Sequence, residues 1–153
     1  VSSSTSSHRN TYLQLCAMCS LNGREYSRAV GAYDKLSVSR RDDPELWLKM
    51  GHAALGANCP QRAYACARRA LQIRQGWPEA MCLKGCAEYL TGRYKEAVRS
   101  LRFVTENESD NDLAWFVMAK CYHRLGDEKK ADIANEKVSK VNPDSELLSL
   151  MNN

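Results

Sequence analysis

Small residues recur in this sequence every 34 positions, and that recurrence limits the possible folds more than any other feature. Set the chain in rows beginning at Asn10, Pro44, Pro78 and Asp112. The eighth column then reads Ala17, Gly51, Gly85 and Ala119, and the tenth reads Cys19, Ala53, Ala87 and Cys121. The twentieth column is alanine throughout, at Ala29, Ala63, Ala97 and Ala131. The fourth carries large apolar groups, Leu13, Trp47, Met81 and Trp115. No gap is needed to align them. Small side chains let two helices approach where they cross. A large one in each row is expected to fill the space left against its neighbour.

Each row divides into two helical stretches. The breakers are Asn22-Gly23, Asn58-Cys59-Pro60, Thr91-Gly92 and Gly126-Asp127, residues that end one helix and begin another. Between rows, Asp43-Pro44 and Trp77-Pro78 put proline near a first helical turn. Asn142-Pro143 does the same for a last short helix expected to run to about Met151. With 8 glycines, 4 prolines, and few valines and isoleucines beside Ala, Leu and Lys/Arg, the composition favours helix over strand.

At 153 residues the chain has about one domain's worth of core. Its apolar and charged fractions, 44% and 26%, are those of an ordinary soluble protein. A net charge of +4 is too small to argue for nucleic acid by itself. No apolar run approaches the roughly 20 residues of a membrane helix, so no membrane association is expected. The sequence starts at Val1, not Met, and reads as a piece of something longer. Residues 1–9 are Ser-rich and polar and read as a flexible linker. The seven cysteines are odd in number, and all but Cys59 lie inside helical patterns. A secreted disulfide scaffold would place them in loops. Reduced thiols in the cytoplasm or nucleus are expected.

These rows resemble the tetratricopeptide repeat family. Trp47, Gly51, Ala63 and Ala70 match its pattern in row two; Gly85, Gly92, Tyr94 and Ala97 in row three. Row four supplies Trp115, Ala119, Tyr122, Gly126, Ala131 and Pro143, and row one, more weakly, Ala17, Tyr26, Ala29 and Tyr33. The resemblance covers about residues 10 to 145. It implies an all-α, right-handed solenoid of four antiparallel helix hairpins, at about 10–43, 44–77, 78–111 and 112–145, closed by a capping helix at 144–151. Row three departs from the pattern with Lys84 and Glu88, spaced i,i+4 and able to pair. Asp132 and Asn135 give the last row the polar outer face of a terminal repeat, which Leu147, Leu148 and Met151 would complete.

In the family, the first helix of each row lines a concave groove. Carried over column by column, the lining includes Leu15 and Met18 from row one, and Leu48, Lys49 and His52 from row two. Row three adds Cys82, Leu83, Cys86 and Tyr89; row four adds Phe116, Val117, Lys120, His123 and Arg124. Leu21, Leu55 and Leu90 read as packing inside their own hairpins. Leu48, Leu83, Phe116 and Val117 are open to two readings, structural packing or contact with a partner, because their rows already supply neighbouring core groups. An uncovered apolar patch would mark a partner site. With cations interspersed, such a groove suits a segment with apolar anchors, helical or extended, carrying some acidic residues. The family's chaperone-binding members hold a terminal carboxylate with Lys, Asn and Arg side chains. The corresponding residues are Gln14, Met18, Lys49, Glu79 and Leu83, or one row later Leu48, His52, Leu83, Leu113 and Val117. Neither set can clamp a carboxylate, so chaperone C-terminal tails are not expected as ligands.

No reaction chemistry is legible. Cys16 and Cys19 have the spacing of a redox or zinc pair, but no second pair follows and both occupy packing columns. Cys82, Cys86 and His52 form a trio without an orienting group, read as groove lining rather than a metal or nucleophile site. No cofactor, metal or catalytic residue is expected. Arg68, Arg69, Arg74, Arg93, Arg99 and Arg102 fall on second helices towards the convex side. Acidic residues interrupt them and no aromatics interleave in the sequence, so a solvated face is preferred to an RNA site. The sequence therefore reads as a protein-interaction scaffold. The alternatives are a self-associating structural subunit and, less favoured, an RNA-binding module.

Overall fold

The computed structural model describes residues 23–145 and 147–148. Seven α-helices follow one another: α1 (Gly23–Ser39), α2 (Pro44–Gly56), α3 (Pro60–Ile73), α4 (Pro78–Leu90), α5 (Tyr94–Asn107), α6 (Asp112–Arg124) and α7 (Glu128–Val141). Among the described residues there is no strand. The chain is an all-α helical repeat. Helices α2, α4 and α6 start at Pro44, Pro78 and Asp112; α3, α5 and α7 start at Pro60, Tyr94 and Glu128. Both series advance by the spacing of the sequence repeat. Helix α1 is the second helix of row one; residues 10–22, including Leu15, Met18, Cys16 and Cys19, lie outside the described residues.

Local chemistry accounts for these boundaries. Proline occupies the first turn of α2, α3 and α4, where its missing N–H is no loss. Asp43 caps α2 by accepting from the Glu45 and Leu46 amides at 3.1 and 3.4 Å. Asn111 caps α6 by accepting from the Ala114 amide at 3.0 Å, and Asp127 caps α7 by accepting from the Lys130 amide at 3.2 Å. The turns inside the three complete hairpins share one geometry. Asn58, Gly92 and Gly126 sit in left-handed backbone at φ 63°, 82° and 82°. Just beyond them the Cys59, Arg93 and Asp127 amides reach back to the Ala54, Glu88 and Tyr122 carbonyls at 2.8, 2.8 and 2.9 Å. This is the Schellman closure, which satisfies carbonyls the helix would leave open.

The small columns form the close contacts between helices. Ala63, Ala87, Ala97 and Cys121 have no exposed surface, and Ala53, Ala119 and Ala131 are buried. A Cβ on Gly85 would lie 2.7 Å from Leu101 Cγ, and one on Gly51 would overlap the Leu83 side chain. Glycine at these two positions is what allows Leu101 and Leu83 to fill the crossing. The fourth column differs from expectation. Trp47, Met81 and Trp115 are half-buried, packed against the core on one side only. Each indole turns its N–H to the preceding inter-row loop, Trp47 to the Arg41 carbonyl at 2.8 Å and Trp115 to the Ser109 carbonyl at 3.0 Å. The large fully buried groups are instead Phe116, Met50, Leu83 and Leu101, each worth about 1.5–3 kcal/mol by burial.

Lys84 and Glu88 do pair, Nζ to Oε2 at 3.6 Å. Glu88 is 2% exposed and also accepts from Ser100 Oγ at 2.6 Å. At the C-terminal end, Asp112 Oδ2 accepts from Ser145 Oγ at 2.8 Å and from Asn142 Nδ2 at 3.3 Å. That anchors the segment carrying Leu147, which is buried, and Leu148, which is half-buried. Here the described residues show a turn at 143–144 and a 3₁₀ turn at 147–148 rather than the first part of a helix from 144; Met151 lies outside them. On α7 Asp132 is exposed and Asn135 half-buried, as a terminal polar face requires.

Each helix packs against the next, and α2 also touches α4, as α4 touches α6. Second helices of successive rows make no comparable contact among the described residues. First helices therefore lie closer together than second helices, and the stack bends with α2, α4 and α6 on its inner side.

Candidate functional site

The inner face is built from α2, α4 and α6, and its residues divide sharply by burial. Leu48, Leu83, Phe116 and Val117 are 6%, 1%, 1% and 4% exposed. Cys82, Cys86 and Tyr89 are also buried. The stack itself covers these groups, so the need for a partner to cover an apolar patch disappears. The physical reason is contact between first helices of successive rows, which sequence spacing alone does not reveal. Leu83, for example, packs over Gly51 of the previous row. Leu55 is buried and Leu90 half-buried, and all of these residues except Leu90 sit in the core of the stack or directly beneath its inner surface.

To solvent this face presents more cations than acids, the acids being Glu45 and Glu79. Lys49, His52, His123 and Arg124 are exposed and Lys120 is half-buried. Lys120 Nζ sits 5.4 Å from the Phe116 ring centroid, a cation over an aromatic face that closes the core at that point. Desolvation lowers the Lys120 pKa, and the nearby Arg124 charge lowers it further. Desolvation also lowers the pKa of His52, although its side chain remains open to water. Exposure together with desolvation describes a group on a concave surface, where water has access but protein surrounds it. Tyr89 is pushed up to about 12, chiefly by burial, with Arg124 opposing the shift. His123 turns aside to Glu128 Oε1 at 2.7 Å, within its own hairpin.

The thiols are poor candidates for chemistry. Burial raises Cys66 to about 11 and Cys121 to about 12, so neither supplies thiolate near neutrality. Of the described cysteines Cys59 is exposed and the others are buried. Cys82 and Cys86 are buried while His52 faces solvent, so the trio does not meet at one surface. Among the described residues no group of three or more His, Cys, Asp or Glu side chains could hold a metal ion. No helix of the described residues is long and apolar enough to cross a membrane.

Arg68, Arg69, Arg74, Arg93 and Arg102 are engaged. Arg69 pairs with Asp42 of the row before at 3.3 Å, and Arg74 with Glu45 of its own row at 4.0 Å. The structure also places aromatic rings among them, contrary to the sequence reading. Tyr64 lies between Arg68 and Arg93, whose guanidinium carbons are 5.8 and 4.6 Å from its centroid, and Arg74 covers Trp77 at 4.6 Å. Tyr64 and Arg93 are far apart in sequence, in rows two and three, and meet only through the packing of successive rows.

Residues 89–153 match the family model described as tetratricopeptide repeat. Over those residues the chain is similar to tetratricopeptide repeats. No curated protein matches it in sequence. Among solved structures, a crystal structure of MamA is similar at a TM-score of 0.72 and 21% identity, covering 77% of this chain and 69% of that one. MamA 41-end from Desulfovibrio magneticus RS-1 gives 0.73 and 22%, covering 97% and 83%. YrrB, described as a TPR protein with an unusual peptide-binding site, gives 0.74 and 21%, covering 83% and 65%. At these identities the likeness is one of fold. The repeats of this chain therefore have an inner face that is apolar beneath its surface and charged, with cations in excess, above it.

Proposed function

We propose that the chain is a protein-interaction scaffold that holds an acidic segment of a partner against the inner face of its repeats. The observation that carries this reading is the excess of cations, Lys49, His52, Lys120 and Arg124 on α2 and α6, above a closed apolar core. Carboxylates meeting partly desolvated cations form charge-assisted hydrogen bonds. Peptide binding by YrrB, a fold neighbour, supports the same class of role. The mostly buried thiols suit a reducing intracellular compartment. Nothing in the arrangement calls for catalysis.

The test compares wild type with Lys49→Glu/Arg124→Glu in affinity capture from lysate, read by mass spectrometry. Both residues are exposed, so the variant keeps its fold. A partner lost only with the variant supports the face; identical partner lists move binding elsewhere. A charge at Leu83 or Phe116 is the wrong probe. Each is 1% exposed, so Leu83→Glu would unfold the stack, at a cost above about 4 kcal/mol.

His52 adds a pH dependence. Its folded pKa lies below the usual 6.5, so folding favours the neutral ring. Stability is full above 6.5, falls as pH drops from there through the folded pKa, and levels off below it. An NMR titration of the His52 ring should show a midpoint under 6.5; a midpoint at or above that value would remove His52 from the concavity.

A further inference from the structure

On the opposite side of row four, a cleft of about 290 Å³ opens between α5, α6 and α7. Its walls are Trp115, Met118, Tyr122, Ile133 and Ala134. Ile133 is 53% exposed at the mouth, in contrast to the closed core behind it. The Trp115 indole N–H is already satisfied by the Ser109 carbonyl, so what the ring offers the cleft is apolar surface. The volume stands at the small end of ligand pockets, roughly 300–1000 Å³, and suits one or two anchoring side chains.

The rim supplies the second half of the argument. Arg102 Nη2 donates to Tyr122 Oη at 3.3 Å. Lys130 Nζ lies 5.8 Å from the Tyr122 centroid, and Lys137 Nζ 5.8 Å from that of Trp115. Glu106 is the acid lining the cleft, and Asp127 pairs with Lys130 at 3.7 Å. Three cations thus stand beside the aromatic walls, with the balance positive. All three are exposed, and none is drawn into the core.

The geometry points to a docking site for a short acidic segment of a partner protein, which seats one large apolar side chain between Trp115, Met118 and Ile133 and sets its carboxylates against Arg102, Lys130 and Lys137. An apolar anchor flanked by acids uses both features of the cleft; a basic segment would meet the rim's repulsion. The site is distinct from the inner face and shares no residue with it.

The probe is a capped hexapeptide with two glutamates on each side of a leucine–phenylalanine pair, titrated into the ¹⁵N-labelled full chain. The expected result is shifts at the Trp115 indole and the Met118, Ile133 and Ala134 amides, saturating by a few millimolar. Ile133→Glu, at an exposed position, should weaken binding tenfold or more with the spectrum otherwise unchanged. Lys130→Glu/Lys137→Glu should weaken it at least threefold and let a lysine-flanked version of the peptide bind instead. The proposal is overturned by any of four results. These are no shift at millimolar peptide, equal binding of the lysine-flanked peptide to wild type, shifts confined to Lys49, His52 and Lys120, or cleft shifts that track protein concentration without peptide, which would mean a second copy is the occupant.

Discussion

Two interfaces of this stack invite comparison because the repeat superposes them residue for residue. Where row four meets row three, Met118, Tyr122 and Ala134 border an open apolar cleft. One row earlier the same columns hold Lys84, Glu88 and Ser100, joined at 3.6, 3.3 and 2.6 Å in a network whose carboxylate is 2% exposed. One backbone arrangement thus supports two fillings. In row three, polar groups bridge α4 to α5 and satisfy one another. In row four, apolar groups meet incompletely and leave room. The contrast teaches that stacking geometry is fixed by the small columns, whereas the surface between second helices is free to vary from row to row.

Substitutions can break or sharpen this contrast. Glu88→Ala should have the largest effect, about 3 kcal/mol, because it strips Lys84 and Ser100 of their acceptor in a buried place. Lys84 keeps some access to water, which holds the cost at the low end for a broken buried pair. A loss under about 1 kcal/mol in urea denaturation would show that the network does not hold the interface. Gly85→Ala should cost about 1–3 kcal/mol by driving a methyl into Leu101. Row four carries Ala119 in that column, and Ala119→Gly should cost only about 1 kcal/mol through helix propensity. Equal costs would mean that the two crossings are not differently packed.

The transplant Lys84→Met/Glu88→Tyr/Ser100→Ala should leave stability within about 1 kcal/mol of wild type, or raise it, since apolar groups often replace a buried ion pair without loss. It should also create a second cleft for the glutamate-flanked peptide. If the triple variant is as unstable as Glu88→Ala, row three cannot adopt the packing of row four. Smallest of all, Ile133→Glu should change stability by less than about 0.5 kcal/mol, measured by thermal unfolding. A larger change would mean that the cleft wall is part of the core.

Most of the architecture was legible in the sequence, because short-range signals and packing columns agree. Pro44, Pro60 and Pro78 announce helix starts, Asn58, Gly92 and Gly126 announce hairpin turns, and every described residue of the eighth and tenth columns proved buried. In the twentieth, Ala63, Ala97 and Ala131 are buried and Ala29 is half-buried. The pairing of Lys84 with Glu88 was also visible from their spacing. The surface was harder to read. Phe116 and Leu83 look surplus on their own helices, and only contact between rows shows that they are core. The clasp of Tyr64 by Arg68 and Arg93 likewise depends on which rows meet. The cleft left one signal unused. Aligning Met118, Tyr122 and Ala134 with Lys84, Glu88 and Ser100 marks that interface as unlike its neighbour.

Among the described residues the main contacts of each helix are with those next to it or one further on, and this connectivity has a mechanical consequence. A force applied across the two ends would pass through every hairpin in series, as through the coils of a spring. Extension would be shared among the interfaces in proportion to their softness. The first to yield would be the one with the fewest bridging groups, and a ligand wedged into a soft coil would stiffen the whole length.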